Sequence, residues 1–214
     1  MRLSAQRLAL LTAGPCFAVA LIVMQPQMTA LAELSGPDSF LASLAAESEA
    51  WLNGHLILLV AALLYLLAAQ GIGRLIEPTR PVTAALISLP LILGAALLCG
   101  NFALDLVYGA LASGLPAEAA QAARASLLDA DGLQLIFATT GPGLFLLGMF
   151  LVAGLALITG WLPRLAGLAI LSGWAFILGL NGAFPYAEAI GHAIVGLGFI
   201  RIGLMPAPIQ SARQ

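Results

Sequence analysis

Six stretches of this chain stay apolar for long enough to cross a bilayer before a polar or turn-forming cluster interrupts them. They lie near residues 8–24, 51–72, 81–111, 133–159, 162–180 and 186–204. A hydrocarbon core of about 30 Å takes about 20 residues of helix. None of the six alternates apolar and polar residues, and barrel strands would be about half as long. The pattern predicts an all-α fold, a polytopic transmembrane bundle of six helices. It forms one integral membrane domain over residues 1–214. The third stretch is long for one crossing.

Two of the connecting segments are long and partly amphipathic. In residues 25–50, Asp38 or Ser39 is placed to cap a turn that puts Phe40 and Leu44 four apart on one face. In residues 112–132, Pro116 suits a first helical position, and an Ala-rich run ends in Leu127 and Leu128. Short helices are expected near 40–49 and 116–128, resting on headgroups or lidding the bundle.

Composition narrows the class. Hydrophobic residues make up 61% of the chain and charged residues 8%, with a formal net charge of -2. A soluble domain carries about 25% charge. The few charges here cannot cover a water-facing surface, which excludes a soluble monomer and a disordered chain. With no basic surplus there is no nucleic-acid partner either. The partner is the lipid bilayer, and the oligomeric state is left open.

Arginine sets the orientation. With six helices and both termini in the cytoplasm, that side holds Arg2, Arg7, Arg74, Arg80, Arg164, Arg201 and Arg213, against Arg124 alone outside. This is the asymmetry of a bacterial inner-membrane protein. Glu33, Asp38, Glu47, Glu49, Glu118, Asp129, Asp131 and Glu188 fall outside or at the outer boundary, while Glu77 is cytoplasmic. A competing expectation comes from Arg2, Arg7, the apolar run from Leu8 and Ala30-Leu31-Ala32, which together look like a secretory signal. Cleavage there would leave five helices. Cys16 and Cys99 both lie in apolar runs and read as packing residues rather than a disulfide.

The run Gly160-Trp161-Leu162-Pro163-Arg164-Leu165-Ala166-Gly167, followed by Gly173, resembles a family of uncharacterised bacterial six-helix membrane proteins. That family carries a domain of unknown function. Its members share a long external first loop, an Ala- and Leu-rich third loop, and Pro-Arg-x-x-Gly at the start of the fifth helix. The resemblance implies a fold and no activity. From position alone, Pro163 starts a helix, Trp161 sits at the headgroups and Arg164 anchors the cytoplasmic end.

Small residues mark expected helix contacts: Ala169 with Gly173, and Ala187 with Gly191, each pair four apart. Pro90 and Pro142 fall within spans and should bend or break them.

Ionisable groups inside a span are costly and turn to the bundle interior. His55 lies one turn inside Trp51. Asn101, Asp105 and Tyr108 share a face of the third helix, and Glu188 and His192 share a face of the sixth. Thr139 and Thr140 reach a similar depth. All fall in the outer half, so His55, Asn101, Asp105, Glu188 and His192 form a candidate ligand-binding site.

Several chemistries fit these residue types. One is a structural hydrogen-bond network. Another is a pocket for a lipid headgroup or small amphiphile. A third is a metal-dependent membrane hydrolase, with His55, Asp105 and His192 as ligands and Glu188 as base or fourth ligand. A fourth is haem b held between His55 and His192. No cofactor is assigned, and the expectation to test is convergence of His55, Asp105 and His192 on one pocket.

Overall fold

The computed structural model describes residues 4–34, 39–128, 132–180 and 184–206, and among these there is no strand. The sequence-based expectations at Arg2, Asp38, Asp129, Asp131 and Arg213 lie outside the described residues. Helix α1 spans Ala5–Val23, α2 Gln25–Glu33, α3 Ser39–Ala46, α4 Ser48–Ile76 and α5 Pro81–Gly114. Helix α6 spans Ala117–Leu128, a π-helical segment Gln134–Thr140, α7 Gly141–Thr159, α8 Arg164–Leu180 and α9 Ala187–Gly203.

The long helices pack as a closed ring in chain order. Helix α1 lies against α4, α4 against α5, α5 against α7, α7 against α8, α8 against α9, and α9 returns to α1. At the ring's centre is Tyr65 of α4, fully buried. Its ring meets Phe17 of α1 at 6.2 Å, Phe145 of α7 at 5.0 Å and Phe199 of α9 at 5.2 Å, all edge to face. Glycine lets the backbones close around it. A Cβ on Gly14 of α1 would sit 2.2 Å from the Gly196 Cα of α9, and one on Gly94 of α5 would sit 2.2 Å from the Phe145 nitrogen. Of the small-residue pairs expected from spacing, Gly173 meets Gly191 across α8 and α9, while Ala169 stays at the margin.

Among the described residues, four helices rather than six are long and apolar enough to cross a membrane: α1, α4, α5 and the run Leu135–Thr159. The shortfall has a physical cause. Helices α8 and α9 have 17 residues each, about 25 Å at 1.5 Å per residue, which is less than a hydrocarbon core. Helix α9 also carries Glu188 in its first turn and Arg201 in its last. In contrast, α5 has 34 residues, about 51 Å, and overreaches the core. It continues through Pro90 unbroken. Pro142 instead sits at the start of α7, directly after the π-helical segment, where a missing N–H costs least.

The outside of the ring is apolar. Val82, Leu86, Leu165, Leu178 and Leu197 are all more than half exposed, and Ile158 is 83% exposed. Leu165 and Leu178 belong to α8 and Leu197 to α9, so the two short helices share this coat.

The two ends differ. One gathers the starts of α1, α5 and α8 with the ends of α4, α7 and α9, and so brings Arg7, Arg74, Arg80, Arg164 and Arg201 to one side. There the Arg80 guanidinium lies 4.3 Å over the Trp161 ring. The other end carries α2, α3, α6 and the π-helical segment. Helices α3 and α6 fall close to the expected amphipathic segments. Helix α2 is an addition. Gln27 is fully buried in it and donates to the Ser43 hydroxyl of α3 at 2.9 Å.

Candidate functional site

The polar cluster forms where α4 and α5 cross near the α2–α3 end. His55 is buried, and its Nε2 lies 3.4 Å from Asp105 Oδ2. Asn101, one turn before Asp105, donates its side-chain N–H to the same oxygen at 3.3 Å. The Trp51 indole N–H donates to the Asp105 backbone carbonyl at 2.8 Å. Gly109 makes that possible, because a Cβ there would lie 2.7 Å from the Trp51 ring. The Trp51 ring also lies against His55, with centroids 3.8 Å apart.

These contacts restrict the protons. His55 Nδ1 lies 3.0 Å from the Trp51 carbonyl oxygen, an acceptor only, so Nδ1 carries the hydrogen. Nε2 then faces the Asp105 carboxylate, and this approach joins α4 to α5.

His192 does not join them. The expected convergence of His55, Asp105 and His192 fails, because α1 runs between α4 and α9. Phe17 of α1 stacks on His192 at 4.1 Å between centroids. Phe17 meets Phe102 at 6.1 Å, and Phe102 meets His55 at 6.2 Å. Two aromatic rings thus fill the route between the imidazoles. On its other side His192 meets Trp174 of α8 edge to face at 5.4 Å, and its buried Nδ1 has no partner among the described residues.

The donor set therefore does not fit zinc, which needs three ligands at about 2 Å from one ion. Among the described residues no three His, Cys, Asp or Glu side chains group closely enough to hold a metal. Haem between the two histidines does not fit either, since Phe17 and Phe102 occupy that space. Thr139 and Thr140 are exposed, and the Thr140 hydroxyl donates to the Leu135 carbonyl of its own helix.

A cavity of about 570 Å³ opens beside the cluster. Its walls come from α1, α2, α4, α5, the turn before α9 and the first turn of α9. They are mainly apolar: Phe17, Leu21, Met24, Met28, Leu58 and Phe102. His55 and Glu188 reach it from α4 and α9, whereas Asn101, Asp105 and His192 do not. At its rim Tyr186 holds φ at 69°, left-handed backbone that a tyrosine adopts only under constraint. The constraint is visible, for the Tyr186 N–H donates to the Gln25 side-chain oxygen of α2 at 3.4 Å. Gln25, Tyr186 and Phe17 were not among the residues singled out in the sequence. Phe17 looks like any other apolar position of a span, and no pattern marks it.

Known proteins add no further constraint: no family model, curated protein or solved structure matches the chain.

Proposed function

We propose that the chain is a six-helix integral membrane protein of a bacterial inner membrane, with both termini cytoplasmic, and that its cavity holds a lipid or small amphiphile. The cavity carries this reading. It is large enough for part of an acyl chain, apolar on most of its wall, and has two ionisable groups, His55 and Glu188, to orient a polar head. Asp105 and Trp51 position His55 from behind rather than touching the ligand.

The apolar coat on α8 and α9 supports counting them as membrane helices, with flanking residues reaching the interfaces. The start of α8, Pro163-Arg164 with Gly167, is similar to the bacterial six-helix family and supports the same architecture. The seven-to-one split of Arg supports the cytoplasmic assignment of the basic end. A cysteine placed at Thr79 should resist an impermeant thiol reagent added to intact cells, while one at Pro116 should react. The reverse pattern would invert the orientation.

Retained ligand is the direct test. Native mass spectrometry of the detergent-purified chain should show a co-purifying lipid or amphiphile. Leu21→Trp, which fills the cavity, should reduce that occupancy, and Gly154→Ala, on the far side of the ring, should not. A chain that carries no ligand and loses none on Leu21→Trp would leave the cluster a purely structural tie between α4 and α5.

A further inference from the structure

The basic end has a cleft of its own, of about 250 Å³, between the start of α1 and the ends of α4 and α9. Arg7 and Arg74 line it, with Leu10, Leu75 and Ile202 as an apolar wall. Arg7 is held in place: its Nε donates to the Gly203 carbonyl at 2.7 Å, and its Nη2 donates to the Met205 carbonyl. The end of a helix would repel an anion through its free carbonyls. Here Arg7 covers the last carbonyl of α9 and that of Met205 just beyond it, and turns that end into a positive floor, with Nη1 left free of a protein partner among the described residues.

Arg74, in the last turn of α4, is exposed and forms no ion pair among the described residues. Glu77, three residues on, lines a second cleft toward α5 that Arg74 also borders, and it is absent from the lining of the cleft at Arg7. The first turn of α1 adds donors. Ser4 caps it by accepting from the Arg7 N–H, and the N–H groups of Ala5 and Gln6 have no intrahelical acceptor. Ser4 and Gln6 both border the cleft.

We infer that this cleft binds the phosphate of an anionic phospholipid, with Arg7 and Arg74 as its counter-charges. Two guanidinium groups from different helices, a capped helix start and an apolar wall together match a phosphate that carries acyl chains. Free phosphate would use the cations but not Leu10, Leu75 and Ile202. The inference rests on the membrane reading of the bundle and not on the cavity at the opposite end.

The test uses the full chain, delipidated in detergent and titrated by native mass spectrometry. The probes are phosphatidylglycerol, phosphatidylcholine and inorganic phosphate. Phosphatidylglycerol should bind tightest. Arg74→Gln, at an exposed and unpaired position, should weaken it about fivefold, and Arg74→Lys should keep most of the affinity. Phosphatidylcholine should be indifferent to both. Leu21→Trp should leave phosphatidylglycerol binding intact, which separates this cleft from the cavity. Equal binding of the two lipids would overturn the inference, as would an Arg74→Gln variant of unchanged affinity. Inorganic phosphate that competes as well as the lipid would reassign the site to a free anion.

Discussion

Phe17 stacks on His192, with ring centroids 4.1 Å apart and planes 27° from parallel. This pairing decides which histidine meets the cavity. His55 lines the wall, while His192 lies behind the Phe17 ring among Trp174 and the α8–α9 backbone. Phe17→Ala should cost about 3 kcal/mol, because a large buried ring is lost and the site cannot fully collapse. It should also open His192 to the cavity. Diethylpyrocarbonate followed by peptide mass spectrometry reads this directly. His192 should be unmodified in the parent chain and modified in the variant.

His55 and Asp105 should be energetically coupled. Asp105→Ala leaves a buried His55 without its partner, His55→Ala leaves a half-buried Asp105, and the double substitution removes both. A double-mutant cycle on unfolding should give a coupling of about 1 kcal/mol, the scale of interhelical polar pairs in membranes. The same cycle on His55 and His192 should be close to additive, since two phenylalanine rings separate them. Additivity for His55 with Asp105 would mean that the 3.4 Å approach carries no interaction.

That contrast shows how far the sequence could be read. Apolar length located the long helices, and the spacing of Asn101 and Asp105 placed both on the face that meets α4. Pairing with His55 follows because consecutive long helices neighbour each other in the ring. His192 was misplaced because its surroundings depend on α1, which is far away in the chain and closes the ring. The π-helical segment carried no signal, as a uniformly apolar run looks the same at either helical period. Helix α2 was hidden by Gln25-Pro26-Gln27, which reads as an interruption. In the fold Pro26 opens that helix, and Gln27 turns inward to Ser43.

Closure of the ring depends on Gly14 and Gly196. A Cβ on Gly14 would overlap backbone, 2.2 Å from the Gly196 Cα, and backbone cannot rotate away as a side chain can. Gly14→Ala should force α1 and α9 apart and destabilise by about 2 kcal/mol, within the range for overpacked cores. Gly154→Ala is the matched control, since nothing lies within 4 Å of its Cβ position. It should be neutral or slightly stabilising through helix propensity. Thermal unfolding of both variants in one detergent gives the comparison. Equal melting temperatures would show that the α1–α9 crossing is looser than this geometry.

Arg124 should hold the short helices at the end opposite the basic cleft. Its guanidinium lies 4.6 Å from the Phe40 ring of α3 and 5.7 Å from the Tyr108 ring of α5, so one side chain of α6 bridges both. No ion pair involves it among the described residues. The attraction is between a cation and two ring faces, worth about 1 kcal/mol in a partly exposed site. Arg124→Ala should therefore raise amide hydrogen exchange about fivefold in α6 and in α3, while the centre of the ring around Tyr65 stays protected. Arg124→Lys keeps the charge and loses the flat stacking surface, so it should fall between the two. Exchange that rises in α6 alone would show that Phe40 is not held by this arginine. A rise spreading to α4 and α5 would show that α3 and α6 are part of the bundle's global stability rather than a cover laid over its end.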